Sequence, residues 1–310
     1  MAIQRLKANS IDLAYESFGH DSAPAILLIA GLGTQMIRWT SDFCEALVAR
    51  GYRVIRFDNR DTGRSTHFTD QPAPDLATLV STLMAGRQPQ VPYTLHDMTG
   101  DAIALLDALG IESAHIVGRS MGGMIAQLMA SDYPQRVRSL TSIMSSTGNP
   151  ALPPAAPDVM GMMMRPAPDP TANEMAFIAH GLAFARRIAG TGHAFDESVQ
   201  LSLLREEVRR AHVPGGFARH IAALAATGDL RPRLATLRLP ALVIHGLEDP
   251  LILPACGQDT AASIPGAELL LIEGMGHDLP AVLYPVVIDA IARVARQVDF
   301  SDLGRPHQLT

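Results

Sequence analysis

The chain has 310 residues, 47% hydrophobic and 18% charged, which suits one large core, or a core with a smaller appended unit, and excludes a disordered chain. A formal charge of −6, from 25 Lys and Arg against 31 Asp and Glu, gives no electrostatic reason to expect nucleic acid or an anionic membrane as partner. The opening MAIQRLKANS has no apolar signal-peptide region, and the longest apolar run, residues 25–33, is far too short to span a bilayer; a soluble, cytoplasmic protein is expected. Cys44 and Cys256 fit neither a disulfide framework nor a metal spacing and read as two small buried hydrophobes.

No internal repeat is visible. Residues 25–30 (AILLIA) form a continuous apolar run, as a strand buried on both faces requires. A helix is expected over 41–50, with Ser41 as N-cap and Gly51 as stop, followed by a strand over 53–57 and turn chemistry in DNRDTG. The clearest helix is 94–109, where Thr94 and Asp97 stand at capping-box spacing. A strand at 115–117, a helix at 121–131 and a strand at 138–144 complete the first half. Strand and helix in alternation imply parallel strands with crossover helices, hence an α/β doubly wound sheet.

The middle breaks that rhythm. Seven prolines between Pro150 and Pro170 leave little room for a regular element. Helices are expected over 174–189 and 196–212, the second with Glu206 and Arg210 paired at i,i+4. A strand at 241–245, a helix at 254–263, a strand at 268–272 and an amphipathic helix at 284–297 follow, with a frayed tail from Ser301. The organisation expected is a core in two parts, 1–147 and 232–310, with a helical insertion over 148–231 as a cap.

The sharpest chemical signal is Gly118-Arg119-Ser120-Met121-Gly122-Gly123, placed between a strand and a helix. A serine at the tip of so sharp a turn crowds its neighbours two residues away, and glycine there removes the clashing Cβ atoms. A serine hydroxyl needs a base that is itself oriented by an acid. The strand ALVIH is followed by Asp249, with Glu248 as the less favoured neighbour, and the strand ELLLI is followed by His277 on a Gly-flanked loop. Ser120, Asp249 and His277 thus read as nucleophile, acid and base. Two backbone donors are needed for an oxyanion: the N–H of Met121, at the start of the helix, and that of Leu32, which flanking glycines allow to approach a substrate. Gly31-x-Gly33 after a strand also suggests half a dinucleotide fingerprint, but Met36 stands where the third glycine is needed.

The segments AGLG, FDNRDTGRS, GRSMGG, HGLEDP and EGMGH resemble the α/β-hydrolase superfamily, and DNRDTGRS with GMGHDLP most resembles its aclacinomycin methylesterase-like branch. The resemblance covers the core and only loosely the proline-rich middle. It implies an α/β-hydrolase fold with a helical cap, and a carboxylic-ester hydrolase that needs no cofactor or metal and whose partner is a small-molecule ester. Homo-oligomerisation is left open. Ala30 departs from the His that many relatives carry before the oxyanion glycine, and Arg119 beside the nucleophile is unusual.

Asp58, Arg60 and Arg64 read as an internally hydrogen-bonded turn at the sheet edge. Met160, Met162, Met163 and Met164, with Met175 beyond, are candidates to line a deformable apolar pocket, so that small to medium apolar esters are the substrates expected, although unbranched side chains also fill packing gaps. No basic cluster converges with aromatics along the chain, so a polyanionic substrate is not expected. Lactonase, carbon–carbon bond hydrolase and perhydrolase chemistry stay open for the same three residues, as does a non-catalytic ligand-binding role.

Overall fold

The computed structural model describes residues 3–303, the last five of them as helical backbone only. One eight-stranded sheet runs in the order β1-β2-β4-β3-β5-β6-β7-β8. Its strands are β1 (Gln4–Ala8), β2 (Ile11–Phe18), β3 (Ala25–Ile29), β4 (Arg53–Phe57), β5 (Ala114–Arg119), β6 (Val137–Ile143), β7 (Ala241–Gly246) and β8 (Glu268–Ile272). The first two strands are antiparallel, and every pair from β4 through β8 is parallel. The completely buried AILLI of β3 sits inside the sheet, as its unbroken apolar run demands.

The helices are α1 (Ser41–Val48), α2 (Leu76–Met84), α3 (Leu95–Ala108), α4 (Met121–Asp132), α5 (Pro157–Met164), α6 (Pro170–Ile188), α7 (Glu197–Arg210), α8 (Gly216–Thr227), α9 (Arg231–Leu234), α10 (Pro254–Ser263) and α11 (Tyr284–Leu303). One core cluster packs α3 and α4 on one face of the sheet through Leu95, Met98, Leu105, Ile125 and Leu128. A second packs α1 and α11 on the other through Phe43, Leu47, Val287 and Ile291. Five helices, α5 to α9, stand between β6 and β7. Among the described residues no helix is long and apolar enough to cross a membrane.

Register explains where a site can form. Ile29 pairs with Gly118, Gly118 with Ser142, Ile143 with Ile244, and Gly246 with Ile272. The parallel strands therefore end together, and the loops that follow them gather at one edge of the sheet, where α/β proteins hold ligands.

Several local expectations are corrected. Thr40, not Ser41, caps α1, its side chain accepting the Phe43 N–H at 3.3 Å. The proline-rich stretch does carry a helix, α5, because Pro157 falls in its first turn, where no intrahelical donor is lost. Helix α6 starts earlier than expected, at Pro170, with a break at Asn173 (φ −154°, ψ 85°). Glu206 pairs with Arg209, not with Arg210, which is drawn inward. Helix α11 continues through Leu303, past the expected start of fraying; residues 304–310 lie outside those described. Strands β1 and β2 and helices α2 and α8 were not anticipated. The β1–β2 connection is an Asn9-Ser10 turn with both φ positive, 49° and 65°, a weaker signal than the usual Asn-Gly.

Candidate active site

Strand β5 delivers Ser120 to the tip of a strained turn, with φ 54° and ψ −125°. Positive φ is uncommon for any residue with a Cβ, and this cost is offset by anchoring. The Ser120 N–H donates to Ile143 O at 2.9 Å, and Ser145 Oγ donates to Ser120 O at 2.8 Å. The glycines are required by contact. A Cβ at Gly118 would stand 2.0 Å from Gly122 O, and one at Gly122 would stand 2.3 Å from Ile29 O. The loop after β3 approaches less tightly: a Cβ at Gly31 would lie 3.2 Å from the Ser120 Cβ.

Asp249 is buried after β7. Its Oδ1 accepts the N–H groups of Leu251 and Ile252, each at 2.9 Å, and its Oδ2 is left for His277 Nδ1 at 2.7 Å. Two backbone donors thus aim the second oxygen. His245 lies beneath, its Nε2 donating to Ile252 O at 2.8 Å and standing 3.6 Å from Asp249 Oδ2. Glu248 turns the other way, its Oε2 accepting the N–H and Oγ1 of Thr191. The His277 loop is laid on the end of α6: the His277 N–H donates to Ile188 O at 2.7 Å, and a Cβ at Gly276 would stand 2.3 Å from Gly190 N. Ser120 and His277 line the same cavity, with no hydrogen bond joining them among the described residues, a common looseness in unliganded sites.

Leu32 lines that cavity beside Ser120. Met121 is the first residue of α4, where an N–H has no intrahelical acceptor. The loop is held by a residue the sequence did not suggest. His220 of α8 accepts the Gly33 N–H at Nδ1 (3.2 Å) and donates from Nε2 to Arg60 O (2.8 Å), partners that define its neutral tautomer. Burial pulls its pKa down from 6.5 to about 4. The unfolded chain therefore binds the proton more readily between those values. This contribution is complete above pH 6.5 and is lost as pH falls toward 4, on the order of 3 kcal/mol in all. Urea melts at pH 7 and 4.5 should show a smaller pH loss in His220→Gln than in the wild type; equal losses would remove His220 from this role.

The DNRDTG turn does more than bond to itself. Asp58 Oδ1 accepts the Met36 N–H at 2.8 Å, and its Oδ2 accepts the Arg64 N–H at 2.9 Å and Arg210 Nη2 at 2.5 Å. Asp61 takes a two-bond grip from Arg219 at 2.7 and 2.8 Å, with the Tyr93 hydroxyl donating at 2.6 Å. Arg60 grips Asp101 at 2.6 and 2.7 Å, whereas the Arg64 side chain is exposed. Two buried carboxylates of the sheet edge are thus bolted to α7 and α8. Arg210→Ala should leave Asp58 buried without its cation and cost about 3–5 kcal/mol, a drop in Tm of roughly 6–15 °C. A loss near that of an exposed ion pair would contradict the clamp.

The cavity holds about 670 Å³ between the sheet edge and the helices above, walled by Phe184 and Ile188 of α6, Leu203 of α7, Phe217 of α8 and Tyr284. Of the four methionines, Met163 alone lines it; Met160, Met162 and Met164 do not, and Met175 is exposed. Successive helical residues point about 100° apart, so a methionine run cannot share one face. Sequence reading also missed Arg38 and Asp278, and marked Arg119 only as unusual without placing its side chain. Arg119 faces the cavity, its guanidinium 5.8 Å from the Trp39 ring centre. The two arginines stand far apart in the chain and meet only in the fold, which is why no basic cluster beside aromatics was visible.

A strained serine elbow, an aspartate-oriented histidine and an oxyanion-type loop on one sheet edge define a hydrolase of the serine type. The chain belongs to the α/β-hydrolase family, whose alpha/beta hydrolase fold model matches residues 24–281. It is 29% identical to rhodomycin D methylesterase of Streptomyces peucetius, over 96% of this chain and 99% of that protein. It is 27% identical to 3-oxoadipate enol-lactonase 2 of Acinetobacter baylyi, over 86% and 87%. The solved enol-lactonase of Burkholderia xenovorans LB400 superposes with a TM-score of 0.68 at 24% identity, covering 96% of this chain and all of that one, a likeness of fold.

Proposed function

We propose that the protein is a serine carboxylic-ester hydrolase working through an acyl-enzyme on small to medium esters. Ser120 Oγ attacks the ester carbonyl as His277 Nε2 takes its proton; Asp249 holds the imidazole with Nδ1–H toward Oδ2. The N–H groups of Leu32 and Met121 receive the oxyanion. His277 returns the proton to the leaving alcohol, and water then repeats the sequence to release the acid. The observation that carries this reading is the 2.7 Å His277–Asp249 bond beside a serine in strained backbone on the same cavity. The methylesterase similarity supports esters as the substrate class, and the enol-lactonase similarity favours a second reading in which the ester is cyclic.

The cavity's apolar wall gives the acyl chain a surface to bury, with Met163 as the adaptable part. A reducing compartment such as the cytoplasm suits the two unpaired, buried cysteines. A panel of p-nitrophenyl esters and simple lactones tests the reading. Turnover that a fluorophosphonate abolishes is expected; turnover insensitive to the probe, or none on either class, would overturn it.

A further inference from the structure

Arg38 and Arg119 meet at the cavity wall, but their bonding differs. Arg38 is fully engaged: Nε and Nη2 donate to the Glu207 carboxylate at 2.8 and 2.6 Å, and Nη1 donates to Gln200 Oε1 at 2.8 Å. Arg119 donates once, from Nη1 to Arg38 O at 3.3 Å, and forms no ion pair among the described residues. A guanidinium carries five N–H donors in a flat fork shaped for a carboxylate. Asp278, on the same cavity, acts on Arg119 only through space, and burial pushes its carboxyl pKa up. Burial and the adjacent Arg38 charge disfavour the Arg119 cation, so it stands under-compensated beside the nucleophile.

We propose that Arg119 anchors an anion subsite that takes a carboxylate borne by the substrate a few bonds from the ester carbonyl. This rests on the ester-hydrolase reading and deepens it. Arg119 and Ser120 line the same cavity, so an anion on the Arg119 fork shares that space with the ester carbonyl at Ser120. The substrate class is then half-esters of short dicarboxylic acids, or lactones with a short acidic arm. A bidentate, charge-assisted pair also sets orientation, placing one ester end at Ser120. Asp278 is the competing negative charge that a bound carboxylate must tolerate.

Two measurements with the intact protein separate this from the underlying reading. Calorimetric titration with glutarate should show binding weakened about tenfold or more in Arg119→Gln, partly restored in Arg119→Lys and strengthened in Asp278→Asn. The ratio of kcat/KM for monomethyl glutarate over dimethyl glutarate should fall by a similar factor in Arg119→Gln, with circular dichroism reporting that the variant is folded. Absent glutarate binding to the wild type, or binding and ratio that Arg119→Lys and Arg119→Gln leave alike and unchanged, overturns the subsite. If esters turn over with an unaltered ratio, the hydrolase reading survives and the subsite falls. If no ester turns over while glutarate binding depends on Arg119, the subsite survives and the hydrolase reading falls.

Discussion

Ser120→Ala should lower kcat about 10⁴- to 10⁶-fold, because nucleophile, base and acid act as one unit and the loss of one removes the function of all. The fold should persist. The Ser120 side chain makes no hydrogen bond that the sheet needs; the elbow is held by its backbone, through Ile143 O and Ser145 Oγ. Alanine at φ 54° is no more strained than serine, so Tm should move little. Initial rates beside a thermal melt check both halves. A variant that keeps its melt and its rate would show that another group attacks.

The second large effect separates two adjacent carboxylates. Asp249→Asn should lower kcat about 10⁴-fold, since an amide placed at Nδ1 stabilises the wrong tautomer and cannot balance the imidazolium. Glu248→Gln should change kcat only a few-fold, because its carboxylate is exposed and spent on Thr191, just past the end of α6. The pH profiles of both variants would show the difference. A larger loss in Glu248→Gln would move the acid to that residue.

Much of this was legible because its causes are local. AILLIA, the Thr94–Asp97 cap and the glycines around Ser120 each record a demand of their own few residues, and the structure realises all three. Order along the chain did the rest for Asp249 and His277, which the fold brings to 2.7 Å. What was hidden has non-local causes. The bond of Asp58 to Arg210 spans 152 residues and that of Asp61 to Arg219 spans 158, so the charged turn showed only half of each clamp. His220 reaches Gly33 across 187 residues and supports the loop after Ala30, whose Leu32 N–H is proposed to receive the oxyanion. The methionine run misled because composition does not say which side of α5 faces inward.

Labelling the nucleophile tests the central claim most directly. After treatment with a fluorophosphonate, intact mass spectrometry should show a single adduct, and peptide mapping should place it on Ser120 as ester hydrolysis disappears in proportion. An adduct on another residue, or ester turnover that continues with Ser120 fully modified, would contradict the account.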